Sequence, residues 1–254
     1  MIARADDGTA LYFETHGSRA NPPILMGSHF YPTRSSDDDA FTDHWIEQLQ
    51  EEFFLLIADY PRGIGRTGNP QGLTYHPDIA AREYLLIADA AGIDRFGWLG
   101  YSFGGAMGVQ VACRTNRVTA LAVGGFPPLN APFRRMLELA TDMANDPPPL
   151  PESIAPGVLA TTVGFYEPLV VWPQREAIAK LTMPRMVFMG DQDGVKPGLL
   201  SAPLAVHLRA AEGELRALGW QVRWLDGEDH VSAIRPDASF AAVHRFFRDA
   251  LLPR

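Results

Sequence analysis

Residues 98–108 read WLGYSFGGAMG, with one serine, Ser102, set among glycines between an apolar run and a helix-like one. Gly100-Tyr101-Ser102-Phe103-Gly104 fits the pattern G-x-S-x-G, which is meaningful only where a strand turns sharply into a helix. Such a turn holds the serine in strained φ/ψ and lifts its hydroxyl clear of the sheet. Side chains two residues away on either side would collide with the tight bend, so glycine is required there. The helix that follows aims its N-terminal N–H groups at the same spot, which favours a developing negative charge.

Outward from Ser102 the chain alternates strands and helices. Two short extended runs, 2–5 and 10–14, flank the turn signal Asp6-Asp7-Gly8 and predict an opening hairpin. Ile24-Leu25-Met26 is a short strand, residues 41–51 are helical in character, and residues 53–58 are an unbroken apolar run. A run of that kind suits a central parallel strand covered on both faces. His76-Pro77-Asp78 opens a helix stopped at Gly92, and residues 96–99 form the strand that leads to Ser102. Strands follow at 121–123, 186–189 and 222–225, and Phe240, Val243, Phe247 and Leu251 stripe a last helix. The fold class is therefore α/β, a mostly parallel sheet with helices on both faces.

Between Phe126 and Pro184 the rhythm breaks. This region holds a helical piece (133–144), a proline cluster (Pro147, Pro148, Pro149 and Pro151) and the aromatic segment GFYEPLVVWP. Residues 127–184 are expected to form a small helical insertion over one end of the sheet, dividing a core made of 1–126 and 185–254.

A serine hydroxyl needs a base to take its proton and a carboxylate to orient that base. Of the seven histidines, His230 lies just past the last strand, in a loop at the carboxyl edge of the sheet. His16 and His44 lie too near the start or inside a helix, and His207 and His244 fall within helical patterns. The strand 186–189 ends in Gly190-Asp191-Gln192-Asp193-Gly194, which offers two acids. Asp191 suits a turn or capping role; Asp193, further into the loop, has more freedom to reach the imidazole and is preferred. One oxyanion donor should be the N–H of Phe103, and another should come from the loop Gly27-Ser28-His29-Phe30.

Composition bounds the rest. The 254 residues, 46% apolar, suffice for one domain with a sizeable core. Net charge is −8 with no basic tract, which argues against nucleic-acid or anionic-membrane partners. No run of eighteen apolar residues appears. A single cysteine, Cys113, and no export signal make the cytoplasm the expected compartment. A small-molecule substrate is the expected partner; no metal or cofactor is expected, and the oligomeric state, a homodimer included, is left open.

The order Ser102, Asp193, His230 in this context resembles the serine-nucleophile branch of the α/β-hydrolase superfamily over nearly the whole chain. Gly92-Ile93-Asp94-Arg95-Phe96 before the elbow is similar to the segment preceding the nucleophile in many members. Residues 59–67, DYPRGIGRT, resemble the superfamily's D-x-R-G-x-G-x-S stretch, with Pro61 as an extra residue and Ile64 where histidine is frequent. The resemblance implies an eight-stranded sheet, a lid inserted after the sixth strand, and hydrolysis through an acyl-enzyme. Ser28-His29 replaces the common His-Gly pair, and with the loops placed on this resemblance the second oxyanion amide is expected to be that of Phe30. Serine rather than aspartate as nucleophile argues against the haloalkane dehalogenase and epoxide hydrolase branches.

The leading expectation is a cofactor-free serine hydrolase for an ester, lactone or thioester of a small to medium apolar acid. Phe126, Phe133, Phe165, Tyr166 and Trp172 are candidates to wall the acyl pocket, with lid packing as the plainer role for each. The alternatives are a carbon–carbon bond hydrolase, a peptidase of the proline iminopeptidase sort using Glu138, Asp142, Glu152 or Glu167, and a non-catalytic ligand binder of the same fold.

Overall fold

In the computed structural model, which describes residues 1–33, 41–68, 75–147, 149, 158–194 and 203–253, the central apolar runs become strands that alternate their side chains between two buried layers. Leu25, Leu56, Trp98, Leu121 and Val187 pack on one face of the sheet. Ile24, Leu55, Leu99, Ala122 and Met186 pack on the other. Both faces are buried, so these strands show no polar alternation.

The strands are β1 (Ile2–Arg4), β2 (Ala10–His16), β3 (Pro23–Met26), β4 (Phe54–Ala58), β5 (Phe96–Tyr101), β6 (Val118–Gly124), β7 (Arg185–Gly190) and β8 (Trp220–Leu225). They form one eight-stranded sheet in the order β1-β2-β4-β3-β5-β6-β7-β8. The β1–β2 hairpin joins β4 antiparallel, and every pair from β4 to β8 is parallel. Helices α1 (Phe41–Leu49) and α8 (Pro236–Leu251) cover one face through Trp45, Ile46, Val243 and Phe247. Helices α2 (Pro77–Ala90), α3 (Phe103–Ala112) and α7 (Leu204–Ala217) cover the other through Tyr84, Met107 and Leu208. Gly124 pairs with Tyr101 on one side and Phe188 on the other, which brings the carboxyl ends of β5, β6 and β7 level.

Between β6 and β7 lie α4 (Phe133–Asn145), α5 (Val158–Tyr166), a 3₁₀ turn (Glu167–Val171) and α6 (Gln174–Ile178). Helix α4 matches the helical piece expected from the sequence, whereas α5 carries no sequence signal, because VLATTVGFY is nearly apolar all round and has no polar stripe. Its two threonines return their hydroxyls to the carbonyls of Val158 and Leu159 at 2.6 Å each, so neither leaves a polar group to betray a face. Pro148, Pro151 and Glu152 lie outside the described residues. Among the described residues, no helix is long and apolar enough to cross a membrane, and no group of three or more His, Cys, Asp or Glu could hold a metal ion.

Candidate active site

Ser102 stands between β5 and α3 with φ 50° and ψ −114°, a backbone state that a side chain rarely adopts. Its N–H donates to the Gly124 carbonyl at 2.8 Å, which extends the β5–β6 pairing to the last residue before the helix. Close approach explains the flanking glycines. A Cβ on Gly100 would collide with the Gly104 carbonyl, and one on Gly104 with the Ser28 carbonyl. The loop after β3 is thus pressed directly against the start of α3.

Serine at a helix N-cap ordinarily accepts from the N–H groups of the first turn. Ser102 makes no such capping bond. Its Oγ lies instead 3.0 Å from His230 Nε2, and His230 Nδ1 lies 2.8 Å from Asp193 Oδ2. A carboxylate can only accept, so a neutral imidazole satisfies both contacts in one tautomer: Nδ1–H donates to Asp193, and Nε2 accepts the Ser102 hydroxyl proton. Asp193 is 2% exposed and Ser102 7%, whereas the His230 side chain keeps 21%. The three groups, from loops after β5, β7 and β8, meet at the carboxyl edge of the sheet.

Asp191, the other acid of that loop, has a different use. Its Oδ1 accepts the Gly227 N–H at 2.8 Å and the Gln192 side-chain amide at 3.1 Å, which fastens the β7 loop to the β8 loop.

The expected oxyanion donors fare unequally. Phe103 is the first residue of α3, where backbone N–H groups have no partner within the helix. Phe30 does not fit the role assigned to it. Its N–H closes a turn onto the Gly27 carbonyl at 3.2 Å, and its fully buried ring packs edge-on against Phe41 and Trp45. The residue of that loop with a left-handed backbone is His29, at φ 78°. Counting from the strand end could not show which amide the turn consumes.

The five candidate pocket aromatics do come together, and Phe103 connects them to the elbow. Its ring lies 4.9 Å from Phe165 and 5.7 Å from Tyr166. Phe133 joins Tyr166, Phe126 and Trp172 at 6.4, 5.9 and 6.2 Å. Phe126, Phe133, Phe165 and Tyr166 are buried and Trp172 half-buried, so most of this cluster packs the insertion onto the core. Burial pushes the Tyr166 phenol well above its ordinary pKa.

Two residues without an assigned role in the sequence hold the site. Buried Asp59 accepts the Thr33 N–H and hydroxyl at 2.9 and 2.5 Å and the Arg66 N–H at 2.9 Å, tying the loop after β3 to the turn after β4. Tyr101, the variable position before Ser102, donates its hydroxyl to the His230 main-chain oxygen at 2.7 Å. Asp59 leads the D-x-R-G-x-G-x-S resemblance, which is a signal of sorts; nothing in the sequence marks Tyr101.

The strand order, the turn that carries Ser102 and the carboxyl-edge meeting of three loops are those of the α/β-hydrolase fold, and this chain has that fold. A hydrolase from Pseudomonas aeruginosa superposes with a TM-score of 0.69 at 17% identity over 97% of both chains. The enol-lactonase of Burkholderia xenovorans does so at 0.66 and 21% identity, over 97% of this chain and 99% of its own. In sequence, the chain is 27% identical to a protein of Azorhizobium caulinodans named carbamate hydrolase RutD, over 89% of this chain and 91% of that one. No known protein-family profile matches it.

Proposed function

We propose that the protein is a serine hydrolase that cleaves an ester, lactone or thioester of a small to medium apolar acid through an acyl-enzyme. One observation carries this reading: a strained helix-capping serine that forgoes its capping bond and points at an imidazole backed by a buried carboxylate. As Ser102 Oγ attacks the substrate carbonyl, its proton passes to His230 Nε2, and Asp193 stabilises the imidazolium that forms. The tetrahedral oxyanion is held by the N–H of Phe103, by the N-terminal end of α3, and by the N–H of His29 in place of Phe30. His230 then protonates the leaving alcohol or thiol. A water, deprotonated by the same imidazole, attacks the acyl-enzyme and releases the acid. These steps move only protons and an acyl group, which the named side chains handle without a cofactor. Helices α4 to α6 act as the lid, and their aromatics beside Phe103 favour an apolar acyl group.

A second reading, carbamate hydrolysis, is favoured by the relative of Azorhizobium caulinodans. A carbamate presents the same carbonyl to Ser102, with a nitrogen where the α-carbon of the acyl group would lie. The test is a panel of aryl esters of rising acyl length, lactones, thioesters and aryl carbamates, assayed on wild type and Ser102→Ala. Turnover of short and medium apolar esters that vanishes in the variant is the expected result. A clear preference for carbamates selects the second reading, and turnover that survives in Ser102→Ala overturns both.

A further inference from the structure

Tyr101 ends β5 one residue before Ser102, and its side chain enters the layer beneath α1 and α8. Its ring rests against Phe188 at 6.0 Å and against the His230 ring at 5.4 Å. Its hydroxyl, 129 positions away in sequence, donates to the main-chain oxygen of His230 at 2.7 Å. The residue is 2% exposed. Burial, reinforced by the charges of Asp193, Asp229 and Glu228, holds the phenol well above its ordinary pKa, so it remains a donor at any working pH.

Other bonds brace the flanks of that loop. Asp229 Oδ1 accepts the N–H groups of Val231 and Ser232 at 2.9 Å each, and the Gln192 N–H reaches the Glu228 carbonyl at 3.0 Å. Tyr101 instead grips His230 itself, and from the strand end that presents Ser102. A change in the height of the His230 backbone would change the 3.0 Å approach of Nε2 to Oγ directly. Misplacement by about 1 Å at such a contact costs roughly 100-fold in rate.

We propose that Tyr101 is a positioning residue whose hydroxyl fixes the His230 imidazole over Ser102, so that nucleophile and base are referenced to one strand end. This inference rests on the hydrolytic reading of Ser102, His230 and Asp193. Its rival is that the phenol only fills space beside Phe188.

Tyr101→Phe keeps the ring and deletes the hydroxyl. Wild type, this variant and Tyr60→Phe are compared by titration with a fluorophosphonate probe, which yields both the fraction of sites labelled and the rate constant per labelled site. Tyr60 is a fully buried tyrosine whose hydroxyl bonds Glu83 at 2.6 Å, so its variant reports the cost of losing a buried hydroxyl elsewhere. For Tyr101→Phe, an unchanged labelled fraction with a rate constant lower by roughly 10- to 100-fold is expected. KM for an ester substrate should stay within about twofold. In proton NMR, a downfield Nδ1–H signal of His230 is expected in wild type and should broaden in the variant. Tyr60→Phe should melt earlier and label at the wild-type rate per site. A wild-type rate constant in Tyr101→Phe, or a fall confined to the labelled fraction, overturns the positioning role while leaving the triad standing. If Tyr101→Phe does not fold, Tyr101→His, whose ring is too short to span the gap, takes its place under the same criteria. A folded wild type that never labels removes the hydrolytic reading and this inference together.

Discussion

Whether a serine at the start of a helix caps it or does chemistry depends on where its oxygen finds a partner. Ser102 has its partner in His230, 3.0 Å away, and makes no bond to the first turn of α3. Ser102→Ala and His230→Ala should each lower kcat by about a million-fold, and Asp193→Asn by clearly less, as measured on whichever ester the wild type turns over. Asp191→Asn should leave kcat close to wild type, because its carboxylate bonds the Gly227 amide rather than the imidazole. A greater loss in Asp191→Asn than in Asp193→Asn would reverse the assignment of the two acids. Position in the loop made this choice legible in the sequence: Asp191 follows the strand too closely to turn back, while Asp193 can. The second candidate for an oxyanion amide was not legible. Phe30 and His29 are one residue apart, and only the turn onto Gly27 shows that the Phe30 N–H is already taken. Tyr101 was invisible for a related reason, since its partner is a backbone carbonyl more than a hundred residues away.

Elements were legible wherever burial was symmetric. Residues 54–58 and 96–101 are covered on both faces, so uninterrupted apolar sequence marked them as central strands. Helix α5 also lacks a polar face, and over nine residues an apolar run does not separate helix from loop. The junction of β5 and α3 permits an element-scale test. Gly104 lies against the Ser28 carbonyl, so Gly104→Ala must move either α3 or the loop after β3. A stability loss of about 1–3 kcal/mol is expected from such overpacking, read from the shift of a urea melt. Because the loop bears the proposed His29 donor, the fluorophosphonate rate should fall as well. An unshifted melt would show that the two elements are not in contact.

At the scale of the whole molecule, a buried ion pair among the described residues links parts distant in sequence. Arg62, after β4, pairs with Glu83 on α2, and both side chains are nearly inaccessible at 4% and 3%. Arg62 also bonds Asp7 at 2.6 Å and Thr9 at 3.0 Å in the opening hairpin, and Tyr60 donates to Glu83. Removing Glu83 leaves the buried Arg62 paired with the more exposed carboxylate of Asp7, so Glu83→Ala should cost about 1–3 kcal/mol in a urea melt. A loss below about 1 kcal/mol would mean that Asp7 alone balances the Arg62 charge. Cys113, at the end of α3, should take no part in activity. Burial pushes its thiol up to about 11, so iodoacetamide near neutral pH should modify it far more slowly in the folded chain than in urea, with hydrolysis unaffected. Every functional reading here returns to a single activated hydroxyl. Its most direct test is intact-mass and peptide mapping after exposure to a fluorophosphonate. One adduct on the peptide containing Ser102, absent in Ser102→Ala and His230→Ala, is the expected result. A folded wild-type chain that takes up no adduct, or carries it on a different residue, would contradict Ser102 as the nucleophile.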